Sequence, residues 1–208
     1  FNQDVEFKNI HQLLYNNEQL LMANSGKNRI DKYSFKTREI KPWYPLKLFR
    51  NRDFHHFNSL LVCNNRLYLL AHNNKKKSKI FVYQYPELKR IKKYTLGRQS
   101  HNLYVENDEI FTCDSYESGN VISTKGTELK INDGYVRGLA VSDEQIFVGS
   151  SNKADRKERQ NGDCRIYVFD RNTKNFKNKL TLPDAGNIYD IRILDEFDHA
   201  HGLKPFIS

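Results

Sequence analysis

The chain has 208 residues, enough for one sizeable core, and 34 basic against 25 acidic residues give it a net charge of +9. No apolar run approaches the roughly 18 residues a membrane-spanning helix needs, and Cys63, Cys113 and Cys164 are too far apart for a zinc knuckle and odd in number for a disulfide framework. The positive balance requires an anionic partner to be weighed, but the basic residues are spread along the whole chain and no nucleic-acid module accompanies them, so the charge does not by itself point to nucleic acid.

The chain begins at Phe1 without a methionine, as a trimmed chain or a fragment would, and the lack of a disulfide framework makes the cytoplasm the expected compartment. From His11 onward one unit is repeated: a strand, a short polar turn, a second strand. The copies read HQLLYNNEQLLMANS from His11, NSLLVCNNRLYLLAH from Asn58, HNLYVENDEIFTCDS from His101, RGLAVSDEQIFVGSS from Arg137 and a truncated YDIRILDEF from Tyr189. Their starts lie 47, 43, 36 and 52 residues apart, the spacing of a propeller-type array with several short strands per copy.

Side chains alternate across a strand, so position in the copy sets the face. The third position holds Leu13, Leu60, Leu103, Leu139 and Ile191, while the second strand places Leu20, Leu67, Ile110 and Ile146 ahead of Leu21, Tyr68, Phe111 and Phe147. Both faces of each sheet are apolar, as blades sandwiched between neighbours require. The expected fold is all-β: a β-propeller forming a single domain over residues 1-208, most simply of five blades of about 36-52 residues. Closure is expected from pairing of the N- and C-terminal strands, Val5 to Lys8 with the strand from Ile188, and a fragment of a longer chain would hold part of a larger ring.

In the first copy, strands His11 to Tyr15 and Gln19 to Ala23 flank the turn residues Asn16, Asn17 and Glu18, and Ala23-Asn24-Ser25-Gly26-Lys27-Asn28-Arg29-Ile30 leads into a strand at Asp31 to Phe35. The third copy carries Cys113-Asp114-Ser115 and then Ser118-Gly119-Asn120-Val121. These words resemble the NHL family of propeller repeats, where a strand ends in a small-residue and Asp word and a GNNRI-like turn opens the next strand; Asn24 stands where that family usually has Asp. The RGLA and FVG words at Arg137 to Ala140 and Phe147 to Gly149 are similar to those of uncharacterised bacterial propeller proteins. The resemblance implies a propeller and, in function, little beyond a binding scaffold.

The connection from Trp43 to Phe57 is dense in aromatic and basic residues and is expected to cross a surface. Further strands are expected at Ile80 to Tyr83, Arg90 to Tyr94, Arg165 to Asp170 and Lys179 to Leu182, with a lysine turn at Lys75 to Lys79 and a long polar insertion from Ser150 to Asp163. In an antiparallel meander the first strand begins where the second ends. His11, Asn58, His101, Arg137 and Tyr189 therefore share one channel mouth with Asn24, His72, Asp114, Ser150 and Ser151.

That mouth is the expected binding site for a small polar or anionic ligand, or for a peptide or protein docked on the loop-rich face. Arg137 would clamp a carboxylate or phosphate, and Gly138 beside it would admit a close-lying backbone or ligand. A different class of function, a metal-dependent hydrolase or lyase, would use His11, His56 and His101 as imidazole ligands of a divalent metal with Asp114 as an oxygen ligand. A third is an interaction scaffold presenting the rim or the insertion. The plain alternative is that these polar residues tie strand ends to backbone and to neighbouring blades. His199 and His201, in DHAHG, have the form of a metal-binding tract on one strand face or of a solvated tail. No nucleophile with a neighbouring base, phosphate-binding glycine loop or carboxylate pair is present in the sequence.

Overall fold

The computed structural model describes residues 6-47, 50-154, 158 and 160-206. Four four-stranded antiparallel sheets, each a meander of consecutive strands, account for its regular structure, together with one 3-10 turn at Ser25–Lys27. None of the sheets closes on itself. The chain divides into two compact units, Phe1–Thr95 and Leu96–Ser208.

In the first unit, β1 (Ile10–Asn16), β2 (Gln19–Asn24), β3 (Arg29–Ser34) and β4 (Ile40–Trp43) form one sheet, and β5 (Phe57–Cys63), β6 (Arg66–Ala71), β7 (Lys77–Gln84) and β8 (Lys89–Arg98) form the next. Leu14, Leu21, Ala23 and Ile30 of the first sheet and Phe57, Leu60, Leu67, Leu69 and Phe81 of the second make one buried core. In the second unit, β9 (His101–Glu106), β10 (Glu109–Asp114), β11 (Asn120–Ser123) and β12 (Glu128–Leu129) form a third sheet, and β13 (Tyr135–Val141), β14 (Gln145–Ser151), β15 (Cys164–Asp170) and β16 (Phe176–Leu182) a fourth. Their core joins Tyr104, Phe111 and Cys113 to Leu139, Val141, Ile146 and Val148.

The hairpins form where the repeated turn words stand. Asn17 and Glu18, Asn64 and Asn65, and Asn107 and Asp108 all have positive φ, the pattern of two-residue turns whose twist matches that of the strands they join. Asparagine and aspartate tolerate that backbone better than other residues with a Cβ, so the local sequence sets the register. Burial raises the thiols of Cys63, Cys113 and Cys164 above their ordinary value, consistent with small apolar side chains.

Strict alternation fails at one point in every copy. Each first strand carries a register shift against its partner, between Ile10 and Leu13, Phe57 and Ser59, His101 and Tyr104, and Val136 and Leu139. Such a bulge sets two residues opposite one and re-aims the side chains there. One consequence recurs in both units: Gln12 Oε1 accepts a hydrogen bond from Leu60 N, and Asn102 Oδ1 accepts one from Gly138 N at 2.9 Å. The residue after the first position of the first and third copies thus fastens its sheet to the next.

The expected fifth hairpin differs. Ile188 to Leu194 holds no strand, and neither do Glu6 to Lys8, so no fifth sheet is present among the described residues; Val5 lies outside them. Side-chain packing and a carboxylate hold the segment instead of a ladder. Ile188 N donates to Ser151 Oγ at 2.8 Å, and a Cβ on Gly138, where φ is +78°, would come within 2.9 Å of Ile191 Cγ1 and 3.2 Å of the Asp190 backbone. The segment from Asp198 to His201 is neither a solvated tail nor a strand. Asp198, fully buried, accepts hydrogen bonds from the backbone N–H groups of Val141, Ile193 and Ala200 and lies 2.7 Å from His201 Nδ1.

Candidate functional site

In the first unit the strand-end residues are tied to the backbone. Asn24 is fully buried; its Oδ1 accepts from Lys8 N, and its Nδ2 donates to Glu6 O and, at 2.7 Å, to Asp31 Oδ2. Asn58 is buried at the bulge of β5. His11 is exposed with its ring 4.4 Å from that of His56, which in turn lies 5.0 Å from His72, and His56 Nδ1 sits 2.9 Å from Asp53 Oδ2. His72 Nδ1 accepts from Asn74 N, an arrangement that occupies the lone pair a metal would need there. Among the described residues no group of three or more His, Cys, Asp or Glu side chains is placed to hold a metal ion.

In the second unit Asp114 serves its own loop. Its Oδ1 accepts from Arg98 N at 2.8 Å and from Glu117 N, and its Oδ2 from Ser118 N at 3.0 Å. This is the Asp of the third copy's Cys113-Asp114-Ser115 word, acting as a bolt between the strand end and the turn. His101 is buried with Nδ1 2.9 Å from Ser115 Oγ, and Ser115 donates its own proton to Val136 O, which makes His101 Nδ1 the donor of the pair.

Arg137 is placed differently. Its guanidinium lies 4.8 Å from the ring centre of Tyr135 and 5.7 Å from that of Tyr189. Arg137 Nη2 donates to Tyr135 Oη at 3.3 Å, and Tyr135 donates onward to Gln99 Oε1. Among the described residues it forms no ion pair with a carboxylate, and its Nε is buried without a hydrogen-bond partner. The side chain forms part of the wall of a cavity of about 560 Å³ that is also lined by Gln99, Ser115, Tyr116, Tyr135, Asn152, Lys153 and Asn187. A charged fork flanked by aromatic rings and amide side chains can donate two parallel hydrogen bonds to an oxyanion.

Of the residues expected at one mouth, the second unit brings Arg137 into this cavity, sets Tyr189 against its guanidinium, and places His101 behind the wall through Ser115 and Tyr135, ring centre to ring centre 5.9 Å. Gln99, Tyr116, Asn152, Lys153 and Asn187 were not candidates from the sequence. They belong to segments between hairpins, where no strand period assigns a direction. Residues 155-157 and 159 of the polar insertion, and residues 48 and 49 of the aromatic connection, lie outside the described residues.

No protein-family model matches the chain, and no curated protein matches it. Solved structures do. Hydrazine synthase of Kuenenia stuttgartiensis superposes with a TM-score of 0.65 at 10% identity, covering 88% of this chain and 52% of that one. Streptogramin B lyase gives 0.60 at 14% identity, covering 88% and 57%, and a chain of the nidogen/laminin complex gives 0.60 at 10% identity, covering 83% and 63%. The likeness is one of fold, and it identifies the sheets as those of a β-propeller protein. The chain spans between half and two thirds of the length of these structures.

Proposed function

We propose that the chain is a binding propeller whose second unit holds a small anionic ligand, a carboxylate or a phosphate, on Arg137. The observation carrying this reading is a guanidinium in a cavity wall with two flanking tyrosine rings and no carboxylate partner among the described residues. A buried or half-buried charge is ordinarily paired, and an incoming oxyanion supplies the missing partner. Lys153 adds a second positive group at the lining, while Gln99, Asn152 and Asn187 offer amides to the remaining ligand oxygens. The carboxylate end of a peptide has the same chemistry, and one of the fold neighbours is a chain of a nidogen/laminin complex.

The test is calorimetric titration with inorganic phosphate and, separately, with succinate, followed through the Arg137 Nε–Hε resonance. Saturable binding of at least one, weakened about tenfold or more in Arg137→Gln, is the expected result. Absence of saturation for both up to about 20 mM, or equal binding by Arg137→Gln, overturns the reading.

A further inference from the structure

The cavity beside Arg137 has room for more than an oxyanion. At about 560 Å³ it lies in the range of pockets that enclose a whole drug-sized molecule, roughly 300 to 1,000 Å³, so a phosphate alone on the guanidinium would leave most of it to water. Its wall is also aromatic. Tyr116 lines it and is 57% exposed, although its backbone N–H is held by Arg98 O at 3.3 Å, and Tyr135 forms another part of the wall. Tyr189, 61% exposed, lies against the same guanidinium. Single exposed tyrosines are ordinary on a surface, but tyrosines gathered at a cavity with a charged wall offer ring faces to a ligand ring.

The polar part of the wall is biased toward donors. Gln99 Oε1 already accepts from the Tyr135 hydroxyl at 3.4 Å, and Asn152 Oδ1 from Arg165 Nη1 at 3.0 Å, so what each amide brings to a ligand is its NH2 group. Ser115 Oγ accepts from His101 and donates to Val136 O. Arg137 and Lys153 are donors only. A ligand that satisfies such a wall is rich in acceptors, and the ring that suits the tyrosines is one with acceptors on its edge. A purine nucleotide combines both, with ring nitrogens that accept from amide NH2 groups and a π-face that stacks on tyrosine. The second unit, with 15 basic against 18 acidic residues, has no surplus of positive charge to hold a nucleic-acid strand, which favours a single nucleotide over a polymer.

We propose that this cavity binds a purine nucleoside phosphate, with its phosphate on Arg137, its base stacked on Tyr116 and the base edge met by the amides of Gln99 and Asn152. The proposal rests on the reading of Arg137 as an anion site and adds to it a class of ligand and a residue that selects it.

The experiment is calorimetric titration of the 208-residue chain with adenosine 5′-monophosphate, phenyl phosphate and inorganic phosphate. The nucleotide is expected to bind at least about tenfold more tightly than inorganic phosphate, and this ratio to fall to near one in Tyr116→Ala. Tyr116 is exposed, so the variant keeps its fold, which circular dichroism and the urea midpoint verify. Nucleotide and inorganic phosphate bound equally, each weakened by Arg137→Gln, overturns the nucleotide and leaves the anion site standing. A preference for the nucleotide that survives in Tyr116→Ala, or phenyl phosphate bound as tightly as the nucleotide, overturns the proposal as well. No saturable binding of any of the three up to about 20 mM overturns the anion site itself and the proposal with it.

Discussion

His55 illustrates how much a single enclosed side chain adds to pH behaviour. Burial, and to a smaller extent the charge of Lys79, lowers its pKa from 6.5 to about 4, and its backbone N–H donates to Asn28 Oδ1 at 3.1 Å. The folded state therefore binds fewer protons than the unfolded state between these two values. Stability is full above the unfolded pKa and falls as pH drops from about 6.5 to about 4. The expected loss is on the order of 1 to 2 kcal/mol, less than the full value of the shift. Urea unfolding at pH 7 and pH 4.5 checks it, and the difference should shrink markedly in His55→Gln. Residues such as Arg137 and Asp114 were legible in the sequence because they occupy fixed places in a repeat; the division between them was not. Asp114 is used up by three local N–H groups while Arg137 pairs with no carboxylate among the described residues, and neither fact leaves a trace in spacing or composition.

At the scale of elements, the hairpins were readable and the closing segment was not. Asparagine and acidic turn residues set β1 to β2, β5 to β6 and β9 to β10 locally, so their boundaries follow from the words themselves. The bulges escaped detection because a two-against-one register depends on the partner strand. Ile188 to Leu194 alternates as a strand would, yet its place is decided by Gly138, which leaves room for Ile191, and by Asp198. Burial raises the Asp198 pKa, but hydrogen bonding and charge from His201, with help from backbone N–H groups, hold it below its ordinary value of 3.8. Its contribution is thus present above that value and lost as pH falls through the folded pKa. Asp198→Ala would leave the Val141, Ile193 and Ala200 N–H groups without this acceptor, at an expected cost of about 3 kcal/mol in the urea midpoint. Gly138→Ala meets both a positive φ and the Ile191 side chain, and about 2 kcal/mol or more should be lost in the same measurement.

For the whole molecule, charge and fold act on different quantities. The sheets and their cores fix where Arg137 stands, while the surplus of 34 basic over 25 acidic residues lies in the first unit: the second, which holds the site, has 15 basic against 18 acidic residues, so the positive field at the cavity is the local one of Arg137 and Lys153. A field of this kind accelerates the approach of an anion and is screened within about 10 Å at 0.1 M salt. Contacts inside the cavity are screened far less. Stopped-flow binding of a tyrosine-quenching anionic probe, such as a nitrophenyl phosphate, should accordingly show an association rate that falls several-fold between about 20 and 500 mM salt, with a dissociation rate that hardly moves. The reverse pattern, a dissociation rate that climbs with salt at constant association, would place the probe on the exposed lysines instead of against Arg137. Arg137→Gln separates the two contributions: the probe's residual binding to that variant measures the field of the remaining charges, and its difference from the wild type measures the guanidinium.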